Sequence, residues 1–280
     1  MPFLELFDET LDINSTENYE MSVQVCFDSL SFCILDTIRN KYILIRSFSP
    51  ENNRSFDTEQ IAEIIKKDDF LTRRYKKVHI VMPVPKFTLV PAPLFDPGRK
   101  DEYFSFNHVM TESNVILNNR LTDPDSFLLF ATSKPLYELM SNIYPAAYPF
   151  HHLKPLFDQI SQIKKSSGDY YIHVHVEAGF FDLIIFKNNN LEFSNAFTYR
   201  NISDILYFIL NVFKSKGIKQ EETIYLSGQT ERYDDLFSNL SLYIRNVKFS
   251  EPTGSFTFSY VFNDTDLHKY INLLSVVNCA

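Results

Sequence analysis

Residues 23–48 read VQVCFDSLSFCILDTIRNKYILIRSF, and residues 172–197 read IHVHVEAGFFDLIIFKNNNLEFSNAF. Set side by side without a gap, Val25 meets Val174, Asp28 meets Glu177, Phe32 meets Phe181, Asn40 meets Asn189 and Phe48 meets Phe197. The identities are few, and the pattern carries the reading. Each stretch is an apolar run ending in an acidic residue, a short turn, a second apolar run, an Asn-bearing turn and a third run. Such runs predict a three-stranded antiparallel meander, written twice.

The likeness extends beyond the meanders. After the first, Asp57 stands three residues before Gln60, a capping-box spacing, and Ile61, Ile64 and Ile65 supply the apolar face of a helix. The short strand Val78-His79-Ile80-Val81 follows. After the second, Asn201 or Ser203 can cap a helix that turns Ile205, Leu206, Phe208, Ile209, Val212 and Phe213 inward, and Gly217 is placed to end it. The strand Ile224-Tyr225-Leu226 then runs into Ser227-Gly228. The shared order β-β-β-α-β predicts an α/β protein of two duplicated units.

Residues 1–20 read as a polar, acidic N-terminal arm, residues 21–167 as a first lobe and residues 168–280 as a second. The boundary is expected near Ser166-Ser167-Gly168, and Ser49 to Ser55 reads as a polar loop. The first lobe carries a Pro-rich insertion, residues 83–132, in which Pro83, Pro85, Pro91, Pro93 and Pro97 suit edge strands and loops. Strands are expected at 115–117 and 127–131, and helices at 136–143, 151–165 and 233–245. Further strand-like runs fall near 247–249 and 256–262. A last helix spans 266–277, capped by Asp264 or Thr265.

Composition narrows the functional classes. The 280 residues hold 27 Phe and 16 Tyr, no Trp and 6 Gly, against roughly 20 Gly at average usage. Few glycines limit tight phosphate-cradling turns. A net charge of −8 and the lack of a basic stripe argue against nucleic acid. The densest basic run, Arg73-Arg74-Tyr75-Lys76-Lys77, reads as a solvated helix end rather than a binding patch. Cys26, Cys33 and Cys279 form no disulfide framework and no CxxC pair. No run approaches a membrane span, so a cytoplasmic protein with reduced thiols and no membrane insertion is expected.

A β-β-β-α-β unit used twice, with an acidic residue at each first turn, resembles the actin-like ATPase superfamily, whose lobes have a ribonuclease H-like fold. The runs MSVQVCFDSLSFCILD, KFTLVPAPLFD, His151-His152-Leu153, FDLIIF with FSNAFTYR, and IYLSG also resemble one bacterial family, the domain of unknown function numbered 3822, typical of Bacteroidetes. That resemblance covers nearly the whole chain and implies a degenerate actin-like fold.

In active members of the superfamily each turn presents Asp-x-Gly followed by a small hydroxyl residue, to hold phosphate and Mg²⁺. The resemblance therefore points to Asp28 and Ser31 at the first turn, Glu177 and Gly179 at the second, and Gly228 in the adenosine region, as a vestigial nucleotide cleft. Leu30 stands where the first turn would have glycine, and Phe180 where the second would have a hydroxyl. A non-catalytic pseudoenzyme without cofactor is the expectation, acting as a scaffold or interaction module on an unidentified protein partner; a homodimer is compatible. The alternative is a nucleotide-binding protein or ATPase with an atypical phosphate site that takes ATP and Mg weakly. His173-x-His175 places two imidazoles on one strand face but lacks a third metal ligand of fitting spacing. Asp28, Asp36, Glu177 and Asp182 match a two-metal nuclease by count alone. No Ser–His–Asp arrangement has a local signal.

Overall fold

The polar opening segment, expected as an arm, contains a strand. In the computed structural model, which describes residues 2–50, 55–164 and 169–279, β1 (Leu4–Phe7) pairs antiparallel with residues 44–47. The strand is anchored by Asp8, which is 1% exposed. Its carboxylate accepts from the Thr10 amide at 2.8 Å, from Lys41 Nζ at 2.9 Å and from the Ser259 hydroxyl. Burial alone would raise its pKa, but the bonds from Ser259, Thr10 and Lys41 outweigh it and hold the group below the usual carboxylate range. Four residues are too few for alternation to be read from sequence, and the pairing partner lies some forty positions away.

The first meander is β2 (Tyr19–Val25), β3 (Leu30–Asp36) and β4 (Lys41–Phe48), with Asn40 at φ 50° in the second turn. Helix α1 (Thr58–Lys67) begins at the predicted Asp57–Gln60 capping box and buries Ile61 and Ile65. Burying each such side chain contributes about 1.5–3 kcal/mol. The helix returns the chain so that β5 (Lys77–Met82) lies parallel to β2, as a crossover requires. Of the expected loop Ser49 to Ser55, residues 51–54 lie outside the described residues.

The Pro-rich segment supplies β6 (Phe87–Pro91), a short helix α2 (Lys100–Ser105), β7 (Asn114–Leu121) and β8 (Ser126–Ser133). These strands form a separate sheet in the order β6-β8-β7. The Pro-bearing strand takes an edge, where a missing N–H breaks no ladder. Helix α3 (Lys134–Ile143), strand β9 (Pro149–His151) and helix α4 (Leu153–Ile163) follow.

The second meander is β10 (Tyr170–Glu177), β11 (Phe180–Lys187) and β12 (Asn190–Thr198). Helix α5 (Ile202–Lys216) is capped by Asn201, with Asp204 completing the box, and ends at Gly217 with φ 65°. Strand β13 (Thr223–Gly228), helix α6 (Asp235–Tyr243) and strand β14 (Asn246–Phe249) complete it. The order β12-β11-β10-β13-β14 repeats β4-β3-β2-β5-β9 of the first sheet. In both, the fourth strand runs parallel to the first and the fifth parallel to the fourth. Ile205, Ile209, Val212 and Phe213 of α5 and Leu240 of α6 share one core with Ile172, Val174 and Val176 of β10.

The chain divides into Met1–Asp158 with Thr253–Thr265 and Asn272–Ala280, and Gln159–Pro252 with Asp266–Ile271. Residues 168–280, expected as one lobe, thus send most of their tail to the first unit. There β15 (Thr257–Phe258) pairs with β4, and the Tyr42 hydroxyl donates to the Leu274 carbonyl at 2.6 Å. Local pattern cannot say which sheet edge a two-residue strand joins. The expected boundary at Ser166-Ser167-Gly168 lies outside the described residues. The single helix expected over 266–277 is a 3₁₀ turn (Leu267–Tyr270), then α7 (Ile271–Ser275), then a second 3₁₀ turn (Val276–Cys279), and Asp266 makes no side-chain cap.

Candidate functional site

In the first hairpin Val25 faces Leu30, and the Cys26 amide donates to the Ser29 carbonyl at 3.0 Å. This leaves Phe27 and Asp28 at the tip of the turn. The Asp28 carboxylate accepts from the Cys26 thiol. Leu30 is fully buried in β3. Ser31 lies opposite Ser47 and donates its hydroxyl to the Ser47 hydroxyl at 2.9 Å. Asp28 and Ser31 thus each have a separate local partner.

The second hairpin is tighter. Glu177 faces Phe180, so only Ala178 and Gly179 form the loop. Gly179 has φ +78° and nothing within 4 Å of where a Cβ would sit, so the turn's backbone, not crowding, calls for glycine. Phe180 is buried. The gapless match of Asp28 with Glu177 does not hold, because Asp28 lies inside its loop whereas Glu177 belongs to the last pair of its ladder.

Gly228 also has a packing role. Its φ is +83°, and a Cβ there would stand 2.0 Å from the Val176 carbonyl oxygen. The backbone of β13 passes this close so that the Gln229 amide can donate to the same oxygen at 2.7 Å.

Beside this crossing lies a buried polar chain built on the H-x-H pair. His173 and His175 point to the face of β10 opposite its apolar core, as their spacing of two requires. Ser227 of β13 stands opposite His175. Its hydroxyl is 2.7 Å from His173 Nε2 and 2.7 Å from His175 Nδ1. His175 Nε2 lies 3.1 Å from Glu177 Oε1, and His173 Nδ1 lies 3.4 Å from the Tyr171 hydroxyl. Ser227 and His173 are 0% exposed, and His175 and Glu177 are buried.

One arrangement of protons accounts for these four contacts with neutral rings. Tyr171 donates to His173, His173 to Ser227, Ser227 to His175, and His175 to the carboxylate. Ser227, His175 and Glu177 thus share the connectivity of a hydrolytic triad. The serine hydroxyl is enclosed and shared with a second histidine. The signal available in sequence was the pairing of H-x-H on one strand with a serine on the strand after the crossover helix.

Asp182 faces His175 across the β10–β11 ladder. Burial pushes its carboxyl well above the usual range; His175 opposes that shift and Glu177 adds to it. Asp36, another acid weighed for a two-metal site, instead caps its own turn, accepting from the Ile38 and Arg39 amides and from the Arg39 guanidinium. Among the described residues no three His, Cys, Asp or Glu side chains are grouped to hold a metal ion. His151 is buried: its Nδ1 accepts from the Leu153 amide at 3.2 Å at the start of α4, and its Nε2 donates to the Val84 carbonyl at 2.9 Å. The basic run at 73–77 follows a turn beyond α1, not the helix end itself.

Desolvation, with a smaller contribution from His175, lowers His173 from 6.5 to about 3. The folded chain therefore keeps this ring neutral where the unfolded chain protonates it. Stability is full above pH 6.5 and falls as pH drops toward 3, by up to about 1.4 kcal/mol per pH unit from this one residue. Unfolding of the second unit followed against pH should show that acid slope. In His173→Gln, which keeps a donor for Ser227 but does not titrate, the slope should shrink by that amount; an unchanged slope would refute the assignment.

The strand order and the two hairpin turns define a protein of the actin-like ATPase fold. A solved protein from Bacteroides thetaiotaomicron VPI-5482, described as having an actin-like ATPase fold and unknown function, superposes with TM-score 0.79 at 22% identity, covering 97% of this chain and 100% of that one. The PilM–PilN type IV pilus biogenesis complex matches with TM-score 0.58 at 11% identity, over 93% of this chain and 98% of that one. The chain belongs to the family described as Protein of unknown function (DUF3822), which it matches over residues 8–247. No curated protein matches. Among the described residues no helix is long and apolar enough to cross a membrane.

Proposed function

We propose that this chain is a non-catalytic scaffold or interaction module, a pseudoenzyme in which the actin-like fold serves protein assembly. One observation carries the reading: Glu177, the acid at the second turn, is held by His175 within the buried chain. Two further residues of the expected cleft are also engaged. Ser31 bonds Ser47, and Gly228 admits a neighbouring strand. A Mg–nucleotide needs hydroxyl donors and free acids at these turns, and the engagement of Glu177, Ser31 and Gly228 weighs against that use. The PilM–PilN complex, a relative by fold, supports a role in binding a protein partner. On this reading the chain is bacterial and cytoplasmic, and its two units descend from duplication of one ribonuclease H-like ancestor.

The test is nucleotide turnover and affinity in the full chain with Mg²⁺. ATP hydrolysis should not exceed the protein-free rate, and any nucleotide affinity should be equal in wild type and Asp28→Ala. Saturable ATP binding lost in Asp28→Ala would overturn the proposal in favour of an atypical phosphate site.

A further inference from the structure

The basic run has a setting that its sequence does not reveal. Arg73, Arg74, Lys76 and Lys77 line a pocket of about 690 Å³, within the first unit. That volume falls inside the range that holds small organic ligands. Among the described residues no carboxylate lines the pocket. Arg73 donates to the Asp69 and Ile13 carbonyls and Lys76 to the Thr37 hydroxyl, all neutral partners. Four positive charges thus stand together on a protein whose net charge is −8, without a compensating ion pair among the described residues.

The rest of the lining is aromatic. Tyr75, Tyr144, Tyr148 and Phe150 contribute rings. The Tyr75 and Tyr144 hydroxyls are spent on the Phe70 and Leu71 carbonyls, at 3.1 and 2.7 Å. Those two residues offer ring surface, not polar groups.

His79 supplies an independent observation. It lines the pocket, is 1% exposed, and its Nδ1 has no hydrogen-bond partner among the described residues. Its Nε2 lies 3.1 Å from a Glu20 carboxylate oxygen, so Nε2 carries the proton and Nδ1 is a buried acceptor. A buried acceptor without a donor is costly unless something supplies one.

We propose that this pocket binds a small phosphorylated ligand with a flat ring, of the nucleoside monophosphate class. The cations take the phosphate, the tyrosine and phenylalanine rings take the flat body, and His79 Nδ1 accepts from a hydroxyl or amino group on it. A long polyanion is disfavoured by the overall negative charge, which a single small anion escapes. The pocket is distinct from the hairpin turns. It lies where β5 begins and where residues 143–148 lead into β9, whereas the Cys26–Ser29 turn follows the far end of the parallel strand β2. A six-residue strand such as β5 separates its two ends by roughly 20 Å.

The experiment is titration calorimetry on the full chain with AMP, ribose 5-phosphate and inorganic phosphate. Arg74 and Lys77 make no ion pair and are exposed, so Arg74→Ala/Lys77→Ala should fold as the wild type does, which its melting curve checks. AMP is expected to bind the wild type with the highest affinity of the three, to lose about tenfold or more in the double variant, and to be unaffected by Asp28→Ala. His79→Phe should weaken AMP but not inorganic phosphate. No saturable binding of any probe, or phosphate binding as tight as AMP, would overturn the proposal. Loss of AMP binding in Asp28→Ala with retention in the double variant would overturn it too, and would place the nucleotide at the hairpin turns instead.

Discussion

Gly228→Ala is expected to destabilise the second unit by about 4 kcal/mol or more, the largest loss of any single substitution considered. Two effects add. The added Cβ would meet the Val176 carbonyl oxygen at 2.0 Å, and φ +83° is a conformation that alanine resists. Relief requires β13 to move away from β10, which breaks the parallel pairing and the Gln229–Val176 bond. Gly179→Ala is the control, because its φ of +78° is similar but nothing lies within 4 Å of the added methyl. That variant should lose only about 1–2 kcal/mol. Urea unfolding of both variants separates crowding from backbone strain; equal losses would show that the close approach is not what Gly228 provides.

Ser227→Ala is expected to lose about 2–5 kcal/mol although it removes a single buried oxygen. No cavity of consequence forms. The loss arises because two imidazole nitrogens, each 2.7 Å from that oxygen, give up their shared partner where water does not reach. Replacing His173 with Phe in the same chain should recover part of the loss, since one of the two stranded nitrogens is then gone. A loss under about 1 kcal/mol in the single variant would mean that the polar chain contributes little to folding. The same pair of variants bears on function. If Glu177 is held by this chain, as the proposed role requires, weakening the chain changes stability and leaves nucleotide turnover at its background level.

Much of the architecture was legible because it rests on local chemistry. The Asp57–Gln60 and Asn201–Asp204 boxes are pairs of side chains three residues apart, and each needs only its own helix to form. Gly217 ends α5 in the left-handed conformation for the same local reason. Residues 1–20 look like an arm in sequence because β1 is a strand only by virtue of β4. The place of the tail is not legible locally, because β15 has two residues and finds its partner more than two hundred positions earlier.

The candidate site was less legible. A gapless comparison matched Asp28 with Glu177, yet the hairpins differ in length by two residues, so the acids occupy unlike places. The histidines were read as a lone pair because their partner, Ser227, reaches them only through the parallel crossover of β13 onto β10. The basic run at 73–77 looked like ordinary surface because the rings of Tyr144, Tyr148 and Phe150, which turn it into a pocket, come from another part of the chain.

Apolar periodicity, capping pairs and turn residues by themselves determined that this chain makes two β-β-β-α-β units, since each of those signals acts over a few residues. Which edge a short strand joins, which side chains meet across β10 and β13, and which charges share a concave surface were decided only by tertiary structure. Those contacts link distant residues through pairing whose register is set by the packed core.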